Sequence, residues 1–333
     1  MAACLAVAFL TMGFELSSGK YGIGFLESYG VLADHIMGAP PYDSMKDYVI
    51  WDLRFPRAIA GVAVGAGLGV CGAAMQSAMK NPLADPYTTG IASGASFGAC
   101  LAIVLGLSIV PGLYGESATI VNAFAFSLIP AAIIILVSRF KASATPATMI
   151  LIGIAVMYVF TAATTMMKVT ASEESLAEIY IWNVGTLGKA GWGNVWLMVA
   201  AAAAGIAAFV ALARRLNVLV MCDRGAVALG VDPKRTRMAT LGAVSLVTAV
   251  LVGFSGTIGF VGLVAPHMVR MFLGSDNRYL VPASAAFGAM MLLAADCVAK
   301  SAGSTGLPVG TITALIGGPL FLYLLIKQSK YSW

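Results

Sequence analysis

The run RFPRAIAGVAVGAGLGVCGAAMQSAMKNPLADPYTTGIASGASFGA, residues 54–99, decides how this chain folds. Two arginines open it, and no further charge appears until Lys80, so 58–79 is an unbroken window of apolar and small residues. A membrane-spanning helix needs roughly 20 such residues. The apolar run is continuous, whereas a spanning barrel strand would alternate over about ten residues, so the window predicts a helix. Within the run Gly61, Gly65 and Gly69 recur every four residues, as do Gly90, Gly94 and Gly98. Ladders of this kind let helix backbones approach closely and predict a compact bundle.

The rest of the chain repeats the pattern. Its 333 residues are 59% hydrophobic and 11% charged, against about 45–50% and about 25% in an ordinary soluble domain. That excludes a soluble enzyme, a disordered chain and a nucleic-acid binder. Uncharged windows fall at 58–79, 90–110, 119–138, 147–167, 194–213, 239–254, 256–273, 281–299 and 309–326. The region 239–273 reads either as two spans joined near 254–256 or as one span and a half-helix. The apolar stretch 1–14 is a short tenth. It has no preceding Lys or Arg and no small-x-small cleavage site, so a truncated first span is expected rather than a signal peptide. The expected fold is an all-α polytopic membrane protein of about ten helices, a single transmembrane domain over 1–333.

The charges set the topology. Lys80, Arg139, Lys141, Arg214, Arg215, Arg224, Lys234, Arg235, Arg237, Arg270, Arg278, Lys327 and Lys330 fall on one side. Only Lys20, Lys46, Arg54, Arg57, Lys168, Lys189 and Lys300 fall on the other. The richer side is assigned to the cytoplasm. Asp85, Asp223, Asp232 and Asp276 lie inside and the other 11 acids outside, so the faces carry +9 and −4. Both termini are then cytoplasmic, as an even number of spans requires.

Two connections are long. The outer one, 15–53, carries Glu27, Asp34, Asp43, Asp47 and Asp52. The inner one, 213–238, contains DRGAVALG, residues 223–230, followed by Asp232-Pro233. A capping Asp223 and a closing Gly230 predict a short helix outside the membrane. It suits contact with a partner, or it rests as a basic interfacial helix on lipid headgroups.

Conventional catalytic signatures are missing. Gly19-Lys20 and Gly188-Lys189 are the only GK pairs, and neither stands in a phosphate-binding loop. Any nucleotide hydrolysis belongs to another chain. His35 and His267 are the only histidines, and Cys4, Cys71, Cys100, Cys222 and Cys297 show no metal spacing, so no metal site is expected. His267 beside Pro266 reads as a packing or hinge residue. Gly253, Gly256, Gly259 and Gly262 recur every third residue and read as helix packing. Asp296 and Lys300, one turn apart, are expected to pair locally. No set of mid-depth carboxylates suggests a proton relay. Arg54-Phe55-Pro56-Arg57 is the sharper feature: Pro56 is expected to start the helix, with both arginines projecting at the outer mouth. They either snorkel to headgroups or form a docking point for carboxylates of a soluble partner.

The run 54–99 resembles the signature of the permeases of iron-siderophore, haem and vitamin B12 ABC importers. GTIGFVGLVAPHMVRMFLGSDNRYLVP (256–282) and LPVGTITALIGGPLFLYLL (307–325) agree with it in order, so the resemblance runs from about 50 to 327. The first 50 residues do not match usefully. The resemblance implies a type II ABC importer permease fold, working in the cell (inner) membrane as a homodimer. Two cytoplasmic ATPase subunits would bind ATP and Mg, so the permease itself would be no enzyme and need no cofactor. An extracytoplasmic binding protein would deliver the substrate.

By the same resemblance, Arg54 and Arg57 receive acids of the binding protein. Lys300 adds a third cation where an arginine is usual, keeping the charge and losing the bidentate fork. Gly306 stands where the family often has an acid. Asp223, Ala226, Leu229 and Gly230 match the segment that docks in the ATPase. Residues 143–148, with Ser143, Thr145 and Thr148, correspond to the inner gate. Thr161, Thr164 and Thr165 lie on the path-lining helix, a small neutral wall past which a bulky chelate slides. The implied function is ATP-driven import of an iron chelate, haem or cobalamin; the competing reading is an ion-coupled secondary transporter acting without an ATPase.

Overall fold

The computed structural model describes residues 2–19, 21–40, 43–140, 145–302 and 306–328, and among them it is helical with no strand. The helices are α1 (Ala2–Ser17), α2 (Phe25–Met37), α3 (Ser44–Tyr48), α4 (Phe55–Met79), α5 (Ile91–Leu105), α6 (Gly115–Phe140) and α7 (Pro146–Val169). They continue as α8 (Glu173–Val184), α9 (Val195–Met221), α10 (Asp223–Ala228), α11 (Pro233–Ser255), α12 (Val261–Leu273), α13 (Asn277–Ser301) and α14 (Val309–Gln328). Among the described residues, six segments are long and apolar enough to cross a membrane: Ser44–Met79, Gly115–Phe140, Pro146–Val169, Val195–Met221, Pro233–Ser255 and Asn277–Ser301. Ile91–Leu105, Val261–Leu273 and Val309–Tyr323 are shorter and equally apolar in character. These helices fall on the nine apolar windows from 58–79 to 309–326, and α1 falls on the stretch 1–14.

The opening run forms the centre of the bundle. Helix α4 packs on α9, α11, α12 and α13, and nearly every residue from Ala58 to Met79 is buried. The glycine ladder explains how so many neighbours fit. Gly65 lies on the backbone of Gly288 and Gly69 on the carbonyl of Ser284, while Gly94 and Gly98 lie on the backbone of Phe126 and Asn122. Gly72 faces the carbonyl of Gly262 so closely that a Cβ has no room. Overpacking costs about 1–3 kcal/mol, and more where backbone must move. Gly72→Val is therefore expected to abolish recovery of monodisperse protein on size-exclusion chromatography, while Gly259→Ala, at a position with open space around it, leaves the yield unchanged.

Pro56 does not start the helix. The helix begins at Ser44, capped by Asp43, and runs through a π-helical turn, Val49–Arg54, into α4. Phe55 N–H donates to Ile50 O. A proline supplies no N–H to the helix ladder, and the wider register just ahead of it absorbs the misfit. The outer connection is thus largely helical itself.

Region 239–273 is one span and a half-helix. Helix α11 ends at Ser255, and Gly256, at φ 68°, breaks the chain. Helix α12 has 13 residues, about 20 Å of axis, too short to cross the hydrocarbon core. Of the glycines spaced every third residue, Gly256 marks this break, while Gly253 packs on Ile120 and Gly262 on Leu68, as expected, and Gly259 has open space around it. Irregular backbone at membrane depth must find partners within the protein. Here Ser255 O accepts Thr186 N–H at 2.8 Å, Tyr87 Oη accepts Ile258 N–H at 3.2 Å, and Thr257 Oγ1 donates to Asn183 O. Tyr87 comes from the 3₁₀ turn Pro86–Thr89 that leads into the other short helix, α5.

Candidate functional site

At the outer end of the bundle, the three predicted cations come together but do not project freely. Arg54 is only 7% exposed. Its Nη1 donates to Leu16 O at 2.6 Å and Ser17 O at 3.2 Å, and its Nη2 to Tyr21 O at 2.7 Å. The last carbonyls of a helix have no partner within it and favour a cation; Arg54 closes the end of α1. Arg57 grips Asp296 through two bonds, Nε to Oδ2 at 2.7 Å and Nη2 to Oδ1 at 2.6 Å. Lys300 pairs with Glu15.

Asp296 and Glu15 are both fully buried. The expected local pair of Asp296 with Lys300 is secondary, at 3.8 Å. The reason is geometric: a planar guanidinium matches both carboxylate oxygens, and an ammonium does not. Glu15 is the residue that sequence reasoning missed, since it counts there only as one of the outer acids. The result is a buried four-charge network joining α1, α4 and α13. Beside it lies a cavity of about 740 Å³ whose wall includes Arg54, Arg57, Lys300, Tyr21, Thr186 and Gly306.

The inner segment is shorter than 213–238. Helix α9 continues to Met221 because Leu216 and Leu219 remain fully buried, leaving 222–232 as the projecting part. Asp223 is not its cap. Cys222 holds that place, with its Sγ accepting Gly225 N–H at 3.1 Å. The Asp223 carboxylate instead takes Arg237 Nη1 and Nη2 at 2.9 and 2.7 Å and Lys80 Nζ at 2.9 Å. Arg237, itself buried, also donates from Nε to Ala78 O at 3.0 Å. The segment is thereby bolted to the cytoplasmic ends of α4 and α11. Ala226 is buried beneath it, Val227 and Leu229 are 63% and 64% exposed, and Gly230 closes it at φ 78°. Asp232 caps α11 by accepting Arg235 N–H.

Hydrogen bonds from Arg237, joined by Lys80, hold the Asp223 carboxyl well below the usual carboxylate range. A lowered folded-state pKa gives stability that is present above the unfolded value of about 3.9 and is lost as pH falls through the folded value. The melting-temperature difference between the parent and Asp223→Asn is therefore expected to be constant from pH 5 to 8 and to shrink only below about pH 4.

The predicted gate and wall residues sit on α7. Thr145 caps it, accepting Thr148 N–H at 3.3 Å with the two hydroxyls 3.0 Å apart; Ser143 lies outside the described residues. Thr161, Thr164 and Thr165 each donate to the carbonyl four residues earlier at 2.8 Å. Thr161 and Thr165 are exposed and Thr164 is buried. They border a cavity of about 260 Å³ shared with Ser93, Ser96, Lys168 and Asn183. Sequence reasoning did not single out Lys168, whose Nζ lies 5.4 Å from the centroid of the Tyr180 ring. His267 is buried, edge-on to Phe321.

Comparison with known proteins adds a wider frame to this geometry. The model of the FecCD transport family matches residues 5–327. A cobalamin import system permease protein of Halobacterium salinarum is 41% identical over 83% of this chain and 73% of its own. A hemin transport system permease protein of Yersinia pestis is 38% identical over 84% of each chain. A solved ABC transporter described as of the metal-chelate type, in an inward-facing conformation, superposes with a TM-score of 0.85 at 28% identity over 98% of both chains.

Proposed function

This chain belongs to the FecCD transport family, and we propose that it is the membrane subunit of a binding-protein-dependent ABC importer. It is a multi-pass protein of the cell membrane with the type II importer permease fold. In this reading two copies enclose a central path, each copy seats one ATPase subunit that binds ATP and Mg, and a binding protein delivers an iron chelate, haem or a cobalamin. The permease itself catalyses no bond change.

One observation carries the reading: a short helix, α10, is seated on the bundle through buried Ala226 and turns an apolar tip outward. Asp223, Arg237 and Lys80 fix its base, and Val227 and Leu229 form the tip. A tip of this kind transmits a push from a partner subunit rather than absorbing it. Ser143, Thr145 and Thr148 act as the inner gate, and Thr161, Thr164 and Thr165 line the path. The outer cations serve delivery in a modified form. Arg54, Arg57 and Lys300 border the outer cavity, and acids of the binding protein would meet cations already held in place, Arg54 by carbonyls at the end of α1, Arg57 by Asp296 and Lys300 by Glu15.

Isolating the tagged chain with its encoded neighbours tests the assembly. Recovery of a nucleotide-hydrolysing subunit in equal amount is expected, and recovery of the chain alone under stabilising conditions contradicts it. The wall supplies a second test. Because the threonine hydroxyls bond within their own helix, Thr161→Ala with Thr165→Ala should keep uptake within about twofold. Thr165→Trp should lower it about tenfold by obstruction, a 1.4 kcal/mol effect on the barrier.

A further inference from the structure

Between α1 and the head of α4 lies a helix that the transport reading leaves unused. Helix α2 carries three different strips. Ser28 and Leu32 are buried against the protein. Glu27 and Asp34 form an exposed acidic strip, and Leu26, Ala33, Ile36 and Met37 an exposed apolar one. Leu26, Ile36 and Met37 are 81%, 65% and 73% exposed. With 3.6 residues per turn, the three strips point about 120° apart. A helix at a membrane boundary meets three surroundings in this way: protein on one flank, hydrocarbon below and water above.

Its position fits that reading. Tyr29 Oη donates to Phe9 O at 2.5 Å, and the Tyr29 and Phe9 rings stack at 4.7 Å. The Phe25 ring lies 5.1 Å from that of Phe14. Phe9 stands about 12 Å along the axis from the end of α1 that Arg54 closes. The first turns of α2 therefore lie alongside the membrane-level part of α1, where Phe9 and Phe14 are themselves 59% and 60% exposed. At its other end, His35 stacks on Trp51 at 4.0 Å and its Nδ1 lies 2.8 Å from Asp47; in its first turn, Glu27 pairs with Lys46 at 2.5 Å. Helix α2 is thus tied to the turn that presents Arg54.

We propose that α2 is an interfacial helix seated in the outer leaflet, with Leu26, Ala33, Ile36 and Met37 against lipid acyl chains and Glu27 and Asp34 in water. The apolar strip continues the exposed aromatic surface that Phe9 and Phe14 form on α1, which favours lipid over a soluble partner. With 13 residues the helix lies along a membrane rather than crossing it, and amphipathic helices of this build bind at that boundary. Its role is to brace the outer mouth from the bilayer side.

Nitroxide labels test the proposal. Cysteines replace Leu26, Ala33, Glu27 and Asp34 one at a time in protein carrying Cys4→Ser, Cys222→Ser and Cys297→Ser, which leaves only the buried Cys71 and Cys100 of the native thiols. The protein is reconstituted in phosphatidylcholine–phosphatidylglycerol vesicles, and collision rates with oxygen and with a water-soluble nickel chelate are compared. The oxygen-to-nickel ratio should be at least threefold higher at Leu26 and Ala33 than at Glu27 and Asp34. Low access to both reagents at Leu26 and Ala33 would mean a second copy or another protein covers the strip. High nickel access there would mean water does. Either result overturns the proposal. A label that prevents reconstitution is moved to Ile36 or Met37 on the same strip. No transport is measured, so failure of the importer reading would leave this result standing.

Discussion

Replacing Arg57 with leucine is expected to destabilise the folded protein by about 3–5 kcal/mol, because it leaves a buried carboxylate without its cation. Asp296 is fully buried and both of its oxygens are held by Arg57. Lys300, at 3.8 Å and already paired with Glu15, cannot take over both roles. In detergent, Arg57→Leu should aggregate on heating well below the parent. The double variant Arg57→Leu with Asp296→Leu should recover most of the loss, since an apolar pair of similar volume replaces a buried ion pair at little cost. Equal heat stability of the single variant and the parent would show that Arg57 faces outward and that the network does not hold α4 to α13. The double variant also separates folding from docking. If it is stable yet poorly stimulated by the binding protein, the arginine serves both purposes.

The second large effect concerns the inner tip. Val227→Glu with Leu229→Glu places two carboxylates on an apolar surface that is already exposed, so folding should be unaffected. Uptake is expected to fall at least tenfold, and the ATPase to dissociate during purification, because the charges must be desolvated on docking. Ala226→Glu is a different experiment. Ala226 is fully buried, and that variant should be lost as unfolded protein. Normal uptake by the Val227 and Leu229 double variant would remove α10 from the coupling path.

These contrasts show which features the chain spells out locally. The spans were legible because hydrocarbon forbids unpaired charge over a whole window. Gly230, Asp232 and Pro233 were legible because a helix stop and a helix start are chemistry within a few residues. The half-length of α12 was legible only as an alternative: Gly256 marks a break, but whether the chain then crosses depends on Asn183 and Tyr87 satisfying the loop.

The charge network was not legible. Arg57 and Asp296 stand 239 residues apart and Lys300 and Glu15 285 apart; no spacing rule reaches that far. Asp223 misled for the opposite reason. It sits where a cap would, yet Cys222 takes that place and Arg237, across the segment, claims the carboxylate.

Reconstituted transport tests the central claim most directly. The chain, its ATPase and its binding protein are placed in liposomes, and uptake of the ligand held by that binding protein is followed. Uptake should require all three proteins and ATP, should stop when the ATPase cannot hydrolyse nucleotide, and should be indifferent to an imposed proton or sodium gradient. Uptake by the chain alone, driven by such a gradient, would contradict the account.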